Sequence, residues 1–215
     1  MKYPLILFMV VMIMSFFSCK SSEQKFWGWF AKNEKKLYDF ENNQAALFNE
    51  LAKQMHKVNS DLTFEFGPKR DDGTREFVIS ANGIQSAFPY VEFLHNCAPQ
   101  FEKWKIIKFR PARYPLNELT YENITIKADD IKFLLFKDEN PEKVGIMLFI
   151  KGYNKINENK FRAIGFLFLD QALGEYDVEM IVGTIEFESI QSKNYDKSIP
   201  IKELAKNINA YFIKH

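Results

Sequence analysis

The 215-residue sequence is short of the residues that carry most recognisable chemistry, with two cysteines, Cys19 and Cys97, and three histidines, His56, His95 and His215. No His-x-x-x-His, Cys-x-x-Cys or Asp-x-Asp spacing accompanies them, so no metal site is expected. Gly-x-Ser-x-Gly, phosphate-loop and dinucleotide fingerprints are missing too, which leaves no catalytic residue to nominate and no cofactor to expect. An excess of one charge is also lacking: 29 Lys and Arg stand against 28 Asp and Glu. A neutral chain has no basic stripe to track phosphates, and nucleic acid is excluded as the expected partner.

Long apolar runs are confined to one place, Leu5 to Phe17, preceded by Lys2 and the amino terminus as the positive charges. Thirteen helical residues rise only about 20 Å, against roughly 30 Å of bilayer hydrocarbon, so a secretory leader is favoured over a permanent span. The run ends in Phe16-Phe17-Ser18-Cys19, which resembles the lipobox of bacterial lipoproteins. The resemblance implies a signal peptide over 1–18, a palmitate-type lipid on the Cys19 sulfur and a polar tether over 19–25. The protein would then sit in a bacterial cell envelope, on the inner or outer membrane, with the membrane as a partner through Cys19. The competing reading is an ordinary signal peptide cut near Ser18 or Ser22, with Cys19 incidental.

Removing 1–18 takes away Lys2, leaving 28 basic and 28 acidic side chains, a net charge of zero. The acyl chains would therefore be the main membrane contact. With Cys19 lipidated, Cys97 stands alone and no intramolecular disulfide is expected, so the fold must rest on its core. Three of the 22 phenylalanines, Phe8, Phe16 and Phe17, fall in the leader, and the remaining 19 suffice for a core in a single domain over 26–215.

Along that domain, Phe26, Phe30 and Leu37, then Phe48, Leu51, Met55 and Val58, recur at helical spacings, with a break at Asn42-Asn43. Leu62–Phe66 and Arg75–Ser80 alternate around a turn-rich segment and read as a hairpin. A helix capped by Ser86, with Pro89 in its first turn, precedes a strand at Trp104–Phe109. Arg110–Tyr121 reads as a connecting loop. Strands follow at Asn123–Lys127, Ile131–Phe136 and Val144–Ile150, then a helix over Lys160–Leu173 stopped by Gly174. A strand at Glu179–Phe187 and a terminal helix over Pro200–Ile213 complete the chain. The expected class is α+β with a mostly antiparallel sheet, N-terminal helices and a C-terminal helix, and each half would repeat a ββαβ unit.

The segments Phe26-Trp-Gly-Trp-Phe30, Leu62–Pro68, Arg75–Ile84, Phe109-Arg-Pro111 and Leu173-Gly-Glu-Tyr-Asp-Val178 together resemble a family of uncharacterised bacterial proteins. That resemblance implies a domain of unknown function and supplies no mechanism. The Phe26–Phe30 aromatics suit core packing better than a membrane interface. Glu65 should face solvent opposite Phe64 and Phe66, as should Glu76 and His56. Lone Cys97 reads as a small buried residue.

One constellation has recognition chemistry. Arg110 and Arg113 leave a strand end, while Glu175 and Asp177 follow a helix end, so packing of the two halves would bring them together, either as a ligand rim that recognises an anion or carboxylate or as a structural ion pair. The sequence thus points to a lipid-anchored, non-enzymatic module that binds a protein or small ligand. The alternative is an envelope hydrolase or transferase that uses Arg110 with Glu65, Glu76 or Glu175.

Overall fold

The structure, a computed structural model, describes residues 21–214; the leader and the expected lipidation at Cys19 lie outside them. Helix α1 spans Ser21–Tyr38 and α2 spans Gln44–His56, separated by a 3-10 turn at Phe40–Asn42 where the break was expected. From Ser21 onward the anticipated tether is the first turn of α1, because Glu23 already faces inward at 2% exposure. Phe26, Trp27, Phe30 and Leu37 line the inner face of α1, which settles the aromatic motif as core, and the Trp27 indole donates to the Leu94 carbonyl at 2.9 Å.

Strands β1 (Thr63–Phe66) and β2 (Arg75–Ser80) form the expected antiparallel hairpin. Helix α3 (Phe88–Asn96) then returns the chain to β3 (Trp104–Lys108), parallel to β2. Pro89 occupies the first turn, yet the residue that caps α3 is Ala87, because Gln85–Ala87 already coil into a 3-10 turn and carry Ser86 past the cap position. All six residues of β2 are buried, so both faces of this sheet are covered.

The segment read as a loop contains a strand. β4 (Glu118–Tyr121) pairs with β5 (Ile124–Lys127) through a tight turn in which Glu122 takes a φ of 51°. Next come β6 (Ile131–Lys137) and β7 (Val144–Ile150), antiparallel, and α4 (Glu158–Leu173). A short helix α5 (Glu175–Ile181) precedes β8 (Val182–Glu188), which lies parallel to β7. The strand expected from Glu179 therefore starts three residues later, since Glu179–Ile181 complete α5. β9 (Ile199–Pro200) pairs with the free edge of β6, and α6 (Leu204–Lys214) closes the chain with Leu204 and Ile208 buried.

The fold is α+β, and among the described residues four of the six strand pairings are antiparallel. Both halves share one ββαβ connectivity: an antiparallel hairpin, a helical crossover, and a third strand parallel to the second. The resulting orders are β1-β2-β3 and β9-β6-β7-β8. Each half owns a core. Aromatic rings dominate the first, around Phe26, Phe30, Phe77 and Trp104, whereas aliphatic side chains dominate the second, around Ile131, Ile146, Leu148 and Ile164.

Candidate functional site

The two halves meet where β3 ends and α5 begins. Beyond Lys108 the chain turns sharply, Phe109 taking a left-handed φ of 60° while its N–H still donates to Ile79 at 2.7 Å. This turn delivers Arg110 to Glu175, which is fully buried at the head of α5. One Glu175 oxygen accepts the N–H groups of Ala81 at 3.0 Å and Gly83 at 3.1 Å, and the other accepts the Arg110 N–H at 3.0 Å. In return the Glu175 N–H donates to the Arg110 carbonyl at 2.9 Å. A carboxylate taken this far from water needs such donors, because an uncompensated buried charge costs several kcal/mol. Gly174 makes the approach feasible. Its φ of 88° and ψ of 149° lie in a region open essentially to glycine, and a Cβ there would stand 3.1 Å from the Ala112 nitrogen.

The Arg110 guanidinium is surrounded by acids. It lies 3.2 Å from Asp170, 3.7 Å from Glu175 and 3.7 Å from Glu65, and it donates to the Asn82 side chain at 3.2 Å. Burial pushes the Asp170 carboxyl up to about 6; Arg110 opposes the rise, and Glu175, Glu179 and Glu65 add to it. Burial also raises Glu179, with Glu175 contributing and Lys143 opposing. Lys143 hydrogen-bonds the Glu179 main-chain carbonyl at 2.9 Å, leaving the carboxylate to the cleft.

That cleft encloses about 410 Å³. One wall is a stripe of α4, formed by Ala163, Phe166, Leu167 and Asp170, and Arg110, Glu179 and Tyr121 also line the cleft. Tyr121 and Phe166 are 38% and 40% exposed, enough ring surface to receive a ligand.

Of the four residues expected to form a rim, Arg110 and Glu175 come together. Arg113 goes elsewhere, pairing with Glu76 at 3.0 Å. Asp177 is exposed, and it and Arg110 both line a neighbouring hollow with Glu92, Lys108 and Tyr176. Glu76, expected in solvent, is 6% exposed and also pairs with Arg70, because its face of the first sheet is covered by the chain that joins the halves. Glu65 and His56 are exposed, as expected. Cys97, at the C-cap of α3, is half-buried and disulfide-bonded, not the lone thiol expected. Asp170 and Glu179 escaped sequence reasoning. The signal that would have found Asp170 is the second stripe on α4 at spacings of three, four and seven, distinct from the core stripe of Phe161, Ile164, Phe168 and Ala172.

Among the described residues, no group of three or more His, Cys, Asp or Glu side chains is arranged to hold a metal ion, and no helix is long and apolar enough to cross a membrane. The chain matches no known protein family, no curated protein and no solved structure.

Proposed function

We propose that this chain is an envelope lipoprotein, held on a bacterial membrane through Cys19, whose folded part binds a small ligand without chemical turnover in the cleft beside Arg110. The single observation that carries the binding role is the composition of that cleft: two exposed rings, Tyr121 and Phe166, line the same hollow as the charged groups Arg110, Asp170 and Glu179. Pockets of this kind, apolar walls with few convergent polar groups, are the usual form of a ligand site. A panel of small amines, sugars and carboxylates screened by thermal shift on the full chain tests the role. At least one should raise the melting temperature of the wild type and fail to do so for Phe166→Ala; identical responses from both proteins would refute it. The anchor is tested with labelled palmitate, expected in the wild type and missing from Cys19→Ala.

The enzymatic alternative loses most of its proposed carboxylates to structural work. Three backbone N–H groups occupy Glu175, and two arginines hold Glu76. Asp170 is what such a reading would rest on.

The disulfide at Cys97 favours a second reading of the N-terminus, in which an ordinary signal peptide precedes an exported protein. Cys19 is the other cysteine in the sequence, and one sulfur cannot carry both a thioether and an intrachain disulfide. Intact mass separates the two fates: acyl chains added, or one hydrogen lost from each thiol.

A further inference from the structure

We infer that the cleft between α4, α5 and the Asn82-Gly83 turn takes an organic ammonium, its charge between Asp170 and Glu179 and its carbon skeleton against Tyr121 and Phe166. The inference rests on the reading of this cleft as a ligand site and fixes the sign of the ligand. Arginine beside a cleft ordinarily suggests an anion, and Arg110 invites that reading. Its charge is already balanced, however, by Asp170 at 3.2 Å and by Glu65 and Glu175 at 3.7 Å, it donates to the Asn82 oxygen at 3.2 Å, and its Nε, which has no hydrogen-bond partner, is buried out of a ligand's reach. An incoming carboxylate or phosphate would have to displace one of these groups and would meet the remaining acids.

A cation faces the opposite balance. Asp170 shares one guanidinium with two other carboxylates, and Glu179 gives only its main-chain oxygen to Lys143. Both acids line the cleft and are partly removed from water, where an ammonium would compensate their charge. The aromatic pair adds a second reason of a different kind. Ring faces attract ammonium groups and their attached carbons, and Tyr121 and Phe166, both lining the cleft, remain 38% and 40% exposed.

The test compares phenethylammonium with 3-phenylpropionate, similar in shape and opposite in charge, by calorimetry on the detergent-solubilised full chain at pH 7.5 and about 0.15 M salt. Phenethylammonium should bind at least about tenfold more tightly than the acid, and Asp170→Asn and Glu179→Gln should each weaken it about tenfold. Phe166→Ala should weaken it as well, whereas Asp177→Asn, in the adjoining hollow, should leave it unchanged. Thermal unfolding of each variant confirms that it is folded. Tighter binding of the acid, lost in Phe166→Ala, would overturn the ammonium assignment while preserving the cleft as a ligand site. If neither probe binds, the ammonium assignment falls, and the thermal-shift panel decides separately whether the cleft binds anything.

Discussion

The halves of this molecule run the same path with different materials. In the first, Phe77 touches six aromatic rings, those of Phe26, Trp27, Phe30, Phe64, Phe66 and Trp104. In the second, the corresponding strand β7 contributes Val144, Ile146, Leu148 and Ile150 to a mainly aliphatic interior. The crossovers differ as well: nine residues of α3 in the first half, against sixteen of α4 followed by seven of α5 in the second. The shared connectivity requires only an antiparallel hairpin and a helical return; it does not dictate what fills the core. The longer second crossover supplies what the first lacks, a helix stripe that lines a cleft and a buried carboxylate that reaches across to the other half.

Four measurements would break or sharpen this comparison. The largest effect is expected from Phe77→Ala, which should cost about 3–5 kcal/mol in urea unfolding, as for other buried aromatic deletions. Ile146→Val in the opposite core should cost only about 1 kcal/mol, and equal losses would deny that the aromatic cluster concentrates the stability of its half. Next, Glu175→Ala should cost about 3 kcal/mol by stranding buried N–H donors of Ala81, Gly83 and Arg110. It should also separate the unfolding of the halves, read as two transitions by fluorescence and far-ultraviolet dichroism. A single unchanged transition would show that the Arg110–Glu175 exchange does not couple them.

Gly174→Ala should cost about 1–3 kcal/mol, from backbone conformation and from contact with Ala112. A loss under about 0.5 kcal/mol, the range of ordinary surface changes, would mean that the junction relaxes easily. The smallest effect is Asp170→Asn, expected to stabilise by about 1 kcal/mol at pH 7.5. Its sign follows from proton binding. Asp170 holds its proton up to about pH 6 when folded and releases it near its ordinary value of 3.8 when unfolded. Its contribution therefore favours the folded state at low pH and declines as pH rises from about 4 to about 6. The stability advantage of Asp170→Asn over wild type should grow over that interval and then level off; a constant difference would remove Asp170 as the titrating group.

Legibility followed exposure and length. β1, β2, β6 and β7 alternate or run apolar beside turn residues, and the α1 and α4 stripes are long enough to show a helical period. β5 is legible, but its partner β4 is hidden because Glu118, Thr120 and Tyr121 are exposed, so the ladder is held by backbone bonds with little hydrophobic signature. α5 was absorbed into the following strand because Val178, Met180, Ile181 and Val182 form an almost continuous apolar run, and a helix of seven residues leaves no full period to detect. Sequence brought Arg110 and Glu175 together because both flank element ends. It could not separate Arg113 from them, since which way a side chain leaves a loop is decided by the covering chain, nor show that Asp177 leaves helix α5 on a different face from Glu175 two residues earlier.

The exchange at Glu175 also sets how this protein can be dissected. The stretch between Ala112 and Pro115 is the natural place to divide the two ββαβ units, and each would carry away a core of its own. The second fragment, however, would leave with a carboxylate built to live without water and none of its three main-chain donors; the first would leave with those donors and nothing to receive them. Expression trials should therefore replace Glu175 with a neutral residue in the isolated second unit, or supply the two fragments together so that complementation restores the missing partner.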